Sequence, residues 1–167
     1  MATHLCRAAL AGAATGLRST VAMAALINAR GPGLPPLLTR GPAGPLAWLG
    51  VALELVADKL PTTPSRLEPA GLVGRLVFAG AAGAVLARAA RRPVFPAVLV
   101  ACGADLVSAK LGHDARVAAV RRLPSLAVAA AEDALAVGLA AAASRPVGGT
   151  PFPQKRTMGT RRGTSRL

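Results

Sequence analysis

The hydrophobic positions of the chain gather into five runs, about Ala8 to Ile27, Pro45 to Ala57, Ala70 to Ala90, Val94 to Val107 and Leu126 to Ala143. A hydrocarbon core about 30 Å thick takes roughly 20 helical residues to cross. The first, third and fifth runs approach that length and predict membrane helices. The second and fourth reach it only by extending through Asp58-Lys59 and Ser108-Lys110; otherwise they predict tilted, broken or re-entrant helices. Between the runs stand Gly31-Pro32, Pro35-Pro36, Gly41-Pro42, Pro61, Pro64, Pro69, Pro93, Pro96 and Pro124, residues that interrupt helices. The pattern predicts an all-α, polytopic transmembrane helix bundle over residues 1–144. It has about five membrane segments, within a range of four to six, and the short runs are compatible with re-entrant or inverted-repeat elements.

Small residues inside the runs refine this picture. Gly12 and Gly16 form a GxxxG pair, and Gly71, Gly74, Gly80 and Gly83 recur along the third run; such positions let helix backbones approach closely. They do not form a phosphate-binding loop, because no Lys-Ser or Lys-Thr comes after them.

Composition supports the membrane class. Of 167 residues, 53% are hydrophobic, and the mean hydropathy is +0.48, high for a soluble domain. With one Trp, three Phe and no Tyr, Trp48 is the one strong aromatic anchor at an interface. A net charge of +13 raises nucleic-acid binding as an alternative, yet much of that charge lies in connectors and in the tail. Residues 145–167 contain Arg145, Lys155, Arg156, Arg161, Arg162 and Arg166 and no acid, a composition that cannot bury a core. This segment reads as a disordered basic tail that holds the C-terminus at the cytoplasmic side near anionic lipid head groups, each charge contributing about 1 kcal/mol. Contact with nucleic acid is the lesser reading. Counting Lys and Arg on alternate sides of five spans places the C-terminus in the cytoplasm and the N-terminus outside. Arg18 interrupts the first apolar run and no clear cleavage site comes after it, so the run is read as a retained first helix rather than a signal peptide.

The charges within the runs are the candidate chemistry. Glu54 and Asp58 are four residues apart and share one helix face. Arg18 and Arg75 interrupt two other runs, where an isolated charge costs about 2.5 to 3.5 kcal/mol on insertion scales. Pairing offsets that cost, so Arg18 and Arg75 are expected to approach a group formed by Glu54, Asp58, Asp105, Glu132 and Asp133 in the bundle interior. The charges then have two readings. They either fix helix register as ion pairs, or they form a site or pathway for a cation or proton, since carboxylates exchange protons and supply hard oxygen ligands. Asp105 and Ser108 share a face, while Lys110 reaches toward the interface.

Enzymatic readings have less support. Ser19, Ser65, Ser108 and Ser125 lack a nucleophile motif, and His4 and His113, the latter read as a loop residue, are isolated. Cys6 and Cys102 have neither metal-ligand nor disulfide spacing. No cofactor is expected, and a homo-oligomer is compatible with the chain.

Three segments taken in order carry a resemblance. They are Gly16-Leu17-Arg18-Ser19; Glu54-Leu55-Val56-Ala57-Asp58-Lys59-Leu60-Pro61 with Pro64-Ser65-Arg66 close behind; and Ala131-Glu132-Asp133-Ala134-Leu135-Ala136-Val137. Together they resemble bacterial membrane proteins grouped as domain of unknown function family 4126, over most of residues 10 to 143. The resemblance implies integral location in a bacterial cytoplasmic membrane, with Lys59, Pro61 and Arg66 as the motif's flank, and no assigned activity. A looser similarity links the same motif to cation and proton exchangers carrying Glu-x-Gly-Asp-Lys-Thr or -Ser in two inverted halves. Here the acidic interval is one residue longer, Ala57 replaces the Gly and Leu60 replaces the Thr or Ser. Leu49 to Glu54 and Leu126 to Glu132 are faintly alike, as inverted repeats would be. The chain therefore reads as a small transporter or channel-like protein for a cation or proton, or else as a structural or accessory membrane protein.

Overall fold

The computed structural model describes residues 2–30, 33–39, 41–57 and 69–145. Among them every regular element is helical: α1 (Ala2–Leu17), α2 (Val21–Asn28), α3 (Pro36–Thr39), α4 (Ala43–Ala57), α5 (Pro69–Ala89), α6 (Val94–Ala119) and α7 (Ser125–Ser144). The third and fifth apolar runs appear as α5 and α7 with nearly the expected bounds. The fourth run does not end at Val107, because the more polar stretch beyond it contains no helix breaker before Pro124. Lys110 and Asp114 pair across one turn of the continued helix at 2.9 Å. His113, read from sequence as a loop residue, lies in α6.

Side-chain pairings give the helix directions. Gly12 packs on Ala101, and Gly16 on Asp105 and Ser108, so α1 and α6 run parallel. Gly80 meets Val98 and Cys102 while Gly83 meets Ala97, so α5 and α6 are antiparallel. Arg7 on α1 donates to the carbonyl of Ala143 on α7 at 2.8 Å, and Arg18 reaches Asp133, which makes α1 and α7 antiparallel too. The first run is not one helix. Gly33, a few residues beyond α2, lies against Val85 and Ala89, and that end of α5 packs with the start of α1 through Ala87 and Ala8. A chain covers at most about 3.5 Å per residue, so α2 has to turn back toward the end where α1 began. Helices α1 and α2 thus form a re-entrant hairpin with its tip at Arg18–Thr20. Sequence reasoning read the first run as one helix and offered tilted, broken or re-entrant helices for the second and fourth.

Polarity is distributed inside out. The buried positions are largely small: Ala8, Ala11 and Ala14 on α1, Ala97, Ala101 and Ala109 on α6, and Ala136, Ala140 and Ala143 on α7. Thr15, Arg18, Arg75 and Asp105 are buried among them, whereas Leu53, Val77, Phe95, Leu99, Leu111 and Leu126 face outward. Lipid offers no penalty to an outward leucine, and helix association there depends on close contact of small residues. A Cβ added at Gly12 would collide with the Ala101 backbone, and one at Gly16 with Ser108 and the Asp105 carbonyl. The expected close packing at this pair is present. Along the third run, by contrast, Gly83 sits at a tight crossing, Gly80 is in ordinary contact with Val98 and Cys102, and a Cβ on Gly74 would meet nothing within 4 Å.

Gly71–Ala89, Val94–Ala119 and Ser125–Ser144 are long and apolar enough to cross a membrane. Helix α4, at 15 residues, extends about 22 Å, and α1 stops at the hairpin tip. The expected five spanning segments are therefore represented by three helices that meet the requirement, with the α1–α2 hairpin and α4 beside them.

The Arg7 bond to Ala143 brings the start of α1 and the end of α7 to one end of the bundle. Cys6 is exposed at this end. In a Cys102→Ala background, an impermeant thiol reagent should label Cys6 and an introduced Ser144→Cys from the same membrane face; labelling from opposite faces would contradict the hairpin.

Candidate functional site

The site is built on the broken backbone between α1 and α2. In an unbroken helix the amide of Ser19 would bond to the carbonyl of Thr15, and that of Thr20 to the carbonyl of Gly16. The amide of Arg18 still reaches Ala14 at 2.8 Å, but the next two leave the ladder. The local sequence favours this departure. Gly16 is a poor helix former, and Ser19 and Thr20 are residues that favour helix starts and turns. The Thr15 hydroxyl also donates back to the Ala11 carbonyl at 2.9 Å, an arrangement that tends to bend helices.

Glu54 of α4 takes up the released donors. Its carboxylate accepts from the Ser19 amide at 2.7 Å, the Thr20 amide at 3.0 Å and the Thr20 hydroxyl at 2.6 Å. The negative charge therefore sits at the N-terminal end of α2, where the helix dipole favours it. On the other side of the break, Arg75 of α5 donates from Nη2 to the Gly16 carbonyl at 2.7 Å, placing a positive charge at the C-terminal end of α1. Both freed ends of the hairpin tip are thus met by side chains of matching sign.

Two acid–base contacts surround the tip. Arg18 donates through Nε to Asp133 Oδ1 at 2.6 Å, and its Nη2 lies 2.5 Å from the same oxygen. Arg75 Nη2 lies 3.7 Å from Asp105 Oδ1, a distance for ion pairing rather than hydrogen bonding. Asp105 is fully buried, and among the described residues neither of its carboxyl oxygens has a hydrogen-bond partner; nor does Arg75 Nε. The Ser108 hydroxyl donates to the backbone carbonyl of Asp105 at 3.1 Å, not to its carboxyl group. Asp133 is about 12 Å along α7 from its start, and Asp105 about 16 Å along α6, so both lie well inside their helices.

Among the described residues, the acids and bases expected to gather make these contacts. Arg18, Glu54, Arg75, Asp105 and Asp133 converge on the hairpin tip. Glu132 instead approaches Arg116 of α6 at 3.3 Å; adjacent residues on a helix point in different directions, so it cannot share the direction of Asp133. Asp58, Lys59, Pro61 and Arg66 lie outside the described residues, as does the tail beyond Arg145. Sequence reasoning missed Ser19 and Thr20 as donors, the Gly16 carbonyl as an acceptor and Arg116 as a partner. The Gly-x-Arg-Ser-Thr order at 16–20 carried the signal for a break, but the apolar residues on either side masked it.

Other features lie apart from this cluster. An apolar groove of about 450 Å³ runs between α2, α3 and α4, lined by Ile27, Leu37, Leu38, Leu46 and neighbours. Among the described residues no three His, Cys, Asp or Glu side chains gather in a way that would hold a metal ion.

The inside-out packing, the three helices of crossing length and the charged interior define an α-helical integral membrane protein. Compared with known proteins, the chain matches no family model, no curated protein and no solved structure.

The three bonds to Glu54 make the hairpin tip testable. Glu54→Ala should cost about 2 kcal/mol, as expected for hydrogen bonds to a charged group, and speed amide exchange at Ser19 and Thr20 roughly thirtyfold. Unchanged exchange at both amides would show that other groups hold the tip.

Proposed function

We propose that this protein is a small transporter of the bacterial cytoplasmic membrane that moves a proton or small cation past the tip of the α1–α2 hairpin. One observation carries the reading: a re-entrant helix pair ends inside the bundle, and charged groups from α4, α5, α6 and α7 converge on its tip. Helices broken inside a membrane present backbone groups that bind ions, and secondary transporters place their sites at such breaks. The resemblance to domain of unknown function family 4126 and the looser one to exchangers belong to this same proposal. In it α4, α5, α6 and α7 cross the bilayer and the hairpin is a fifth embedded element.

Charge asymmetry supports an orientation with both ends of the helical domain in the cytoplasm. The end holding the start of α1 carries Arg7, Arg30, Arg88, Arg91, Arg92 and Arg145, with no acid among the described residues. Arg30 and Arg91 adopt φ of 48° and 53°, backbone conformations in which glycine is less strained. Arginine is kept there against that cost, as the positive-inside rule favours. The opposite end sets Lys110, Arg116, Arg121 and Arg122 beside Asp114 and Glu132. The basic tail extends the same asymmetry and adds attraction to anionic lipid.

A second reading has its own support. Glu54, Glu132 and Asp133 each already have donors, as expected if the charges only hold helices together. Flux in proteoliposomes separates the two readings. The parent chain should carry a proton or monovalent-cation current that Asp105→Asn reduces at least tenfold while Glu132→Gln leaves it within twofold, both variants remaining folded. Absence of flux in the parent would favour the structural reading.

A further inference from the structure

Arg75 is one cation placed between two acceptors. Its Nη2 is hydrogen-bonded to the neutral Gly16 carbonyl at 2.7 Å, while the Asp105 carboxyl group waits at 3.7 Å. Asp105 is fully buried, with neither oxygen hydrogen-bonded among the described residues, and the Nε of Arg75 has no hydrogen bond there either. A guanidinium and an ionised carboxylate in a dry site ordinarily close into a two-bond pair, and a buried carboxylate without donors is very costly. A carboxyl group that carries a proton escapes the penalty of a buried charge and draws the guanidinium less strongly. The observed spacing, with the arginine hydrogen-bonded to a neutral carbonyl and only within ion-pair distance of the acid, is compatible with a protonated Asp105.

We infer that Asp105 is a proton-binding site and that Arg75 transfers from the Gly16 carbonyl to the Asp105 carboxylate when the proton leaves. In that step the O–H bond of the Asp105 carboxyl group breaks, its electron pair stays on the oxygen, and the proton passes to water. Arg75 then neutralises the carboxylate, and the Gly16 carbonyl loses its donor. Release of that carbonyl loosens the C-terminal end of α1, so occupancy of the proton site is read by the hairpin tip.

The surroundings favour a proton over a metal cation. Arg75 already supplies a fixed positive charge, and no cluster of three acidic or soft ligands exists among the described residues. From α5 the group facing Asp105 is Arg75, and on its own helix Cys102 lies about one turn earlier, its thiol toward the Leu76 carbonyl. Helix α1 brings Gly12 and Gly16 to this crossing, neither of which titrates. The acids of α7, Glu132 and Asp133, are engaged by Arg116 and Arg18.

This inference deepens the transport reading and rests on it for the use made of the proton, while its test is independent of flux. Infrared difference spectra of the full chain in lipid vesicles, recorded across pH, should show a protonated-carboxyl C=O band that disappears as pH rises. The band should be missing in Asp105→Asn and retained in Glu132→Gln. In Arg75→Gln it should persist to higher pH, because the cation that stabilises the carboxylate is gone. A pH-dependent band that is unchanged in Asp105→Asn, or no such band, overturns the proton site. If Asp105→Asn fails to fold, the Arg75→Gln spectrum decides, and an unshifted band overturns the proposal. Flux without an Asp105 band would reject the proton site and leave transport standing; the band without flux would uphold the site and reject transport.

Discussion

A backbone that turns inside a lipid-facing bundle must satisfy its own amides and carbonyls, because no bulk water is there to do so. At Arg18–Thr20 the ladder of α1 is interrupted, and the remaining helices are arranged around the groups thereby released. Glu54 meets the two amides and Arg75 meets the Gly16 carbonyl. Each side chain comes from a different helix. The position of α4 and α5 relative to the hairpin is therefore coupled to the hydrogen bonding of a few residues at its tip.

Close approach makes this possible. Glycine at 12 and 16 brings α1 against the backbone of α6, and alanines line the contact with α7. With so little side-chain bulk between the helices, Arg18 and Arg75 extend across the crossings toward Asp133 and Asp105. Outward leucines and valines contribute little to this association, since they meet an apolar solvent whether or not the helices pack. Packing of small residues and pairing of charges carry the specificity instead.

The contacts at the tip also differ in kind. Glu54 is saturated with donors, and Asp133 is held directly by Arg18. Asp105 has a nearby cation but no hydrogen bond. Three carboxyl groups in one neighbourhood thus have three environments, two suited to holding structure and one suited to change. The proposed transport chemistry comes from that inequality rather than from the number of acids present.

The all-helical architecture, the length and apolar character of α5 and α7 and the placing of Arg18, Glu54, Arg75, Asp105 and Asp133 in or beside apolar runs were legible in the residues alone. Long apolar runs reveal helices because lipid demands internally bonded backbone, and charges inside such runs are costly enough to require partners. Sequence could not divide Ala8 to Ile27, since apolar residues continue on both sides of the break and hydropathy carries no direction. It could not separate Glu132 from Asp133 either, because which acid meets which base depends on helix rotation and on how closely glycines let the backbones approach. The return of α2, the choice of Arg18 for Asp133 and the placement of Arg75 between a carbonyl and a carboxyl group were decided by tertiary structure, where residues distant in the chain meet at the tip of one hairpin.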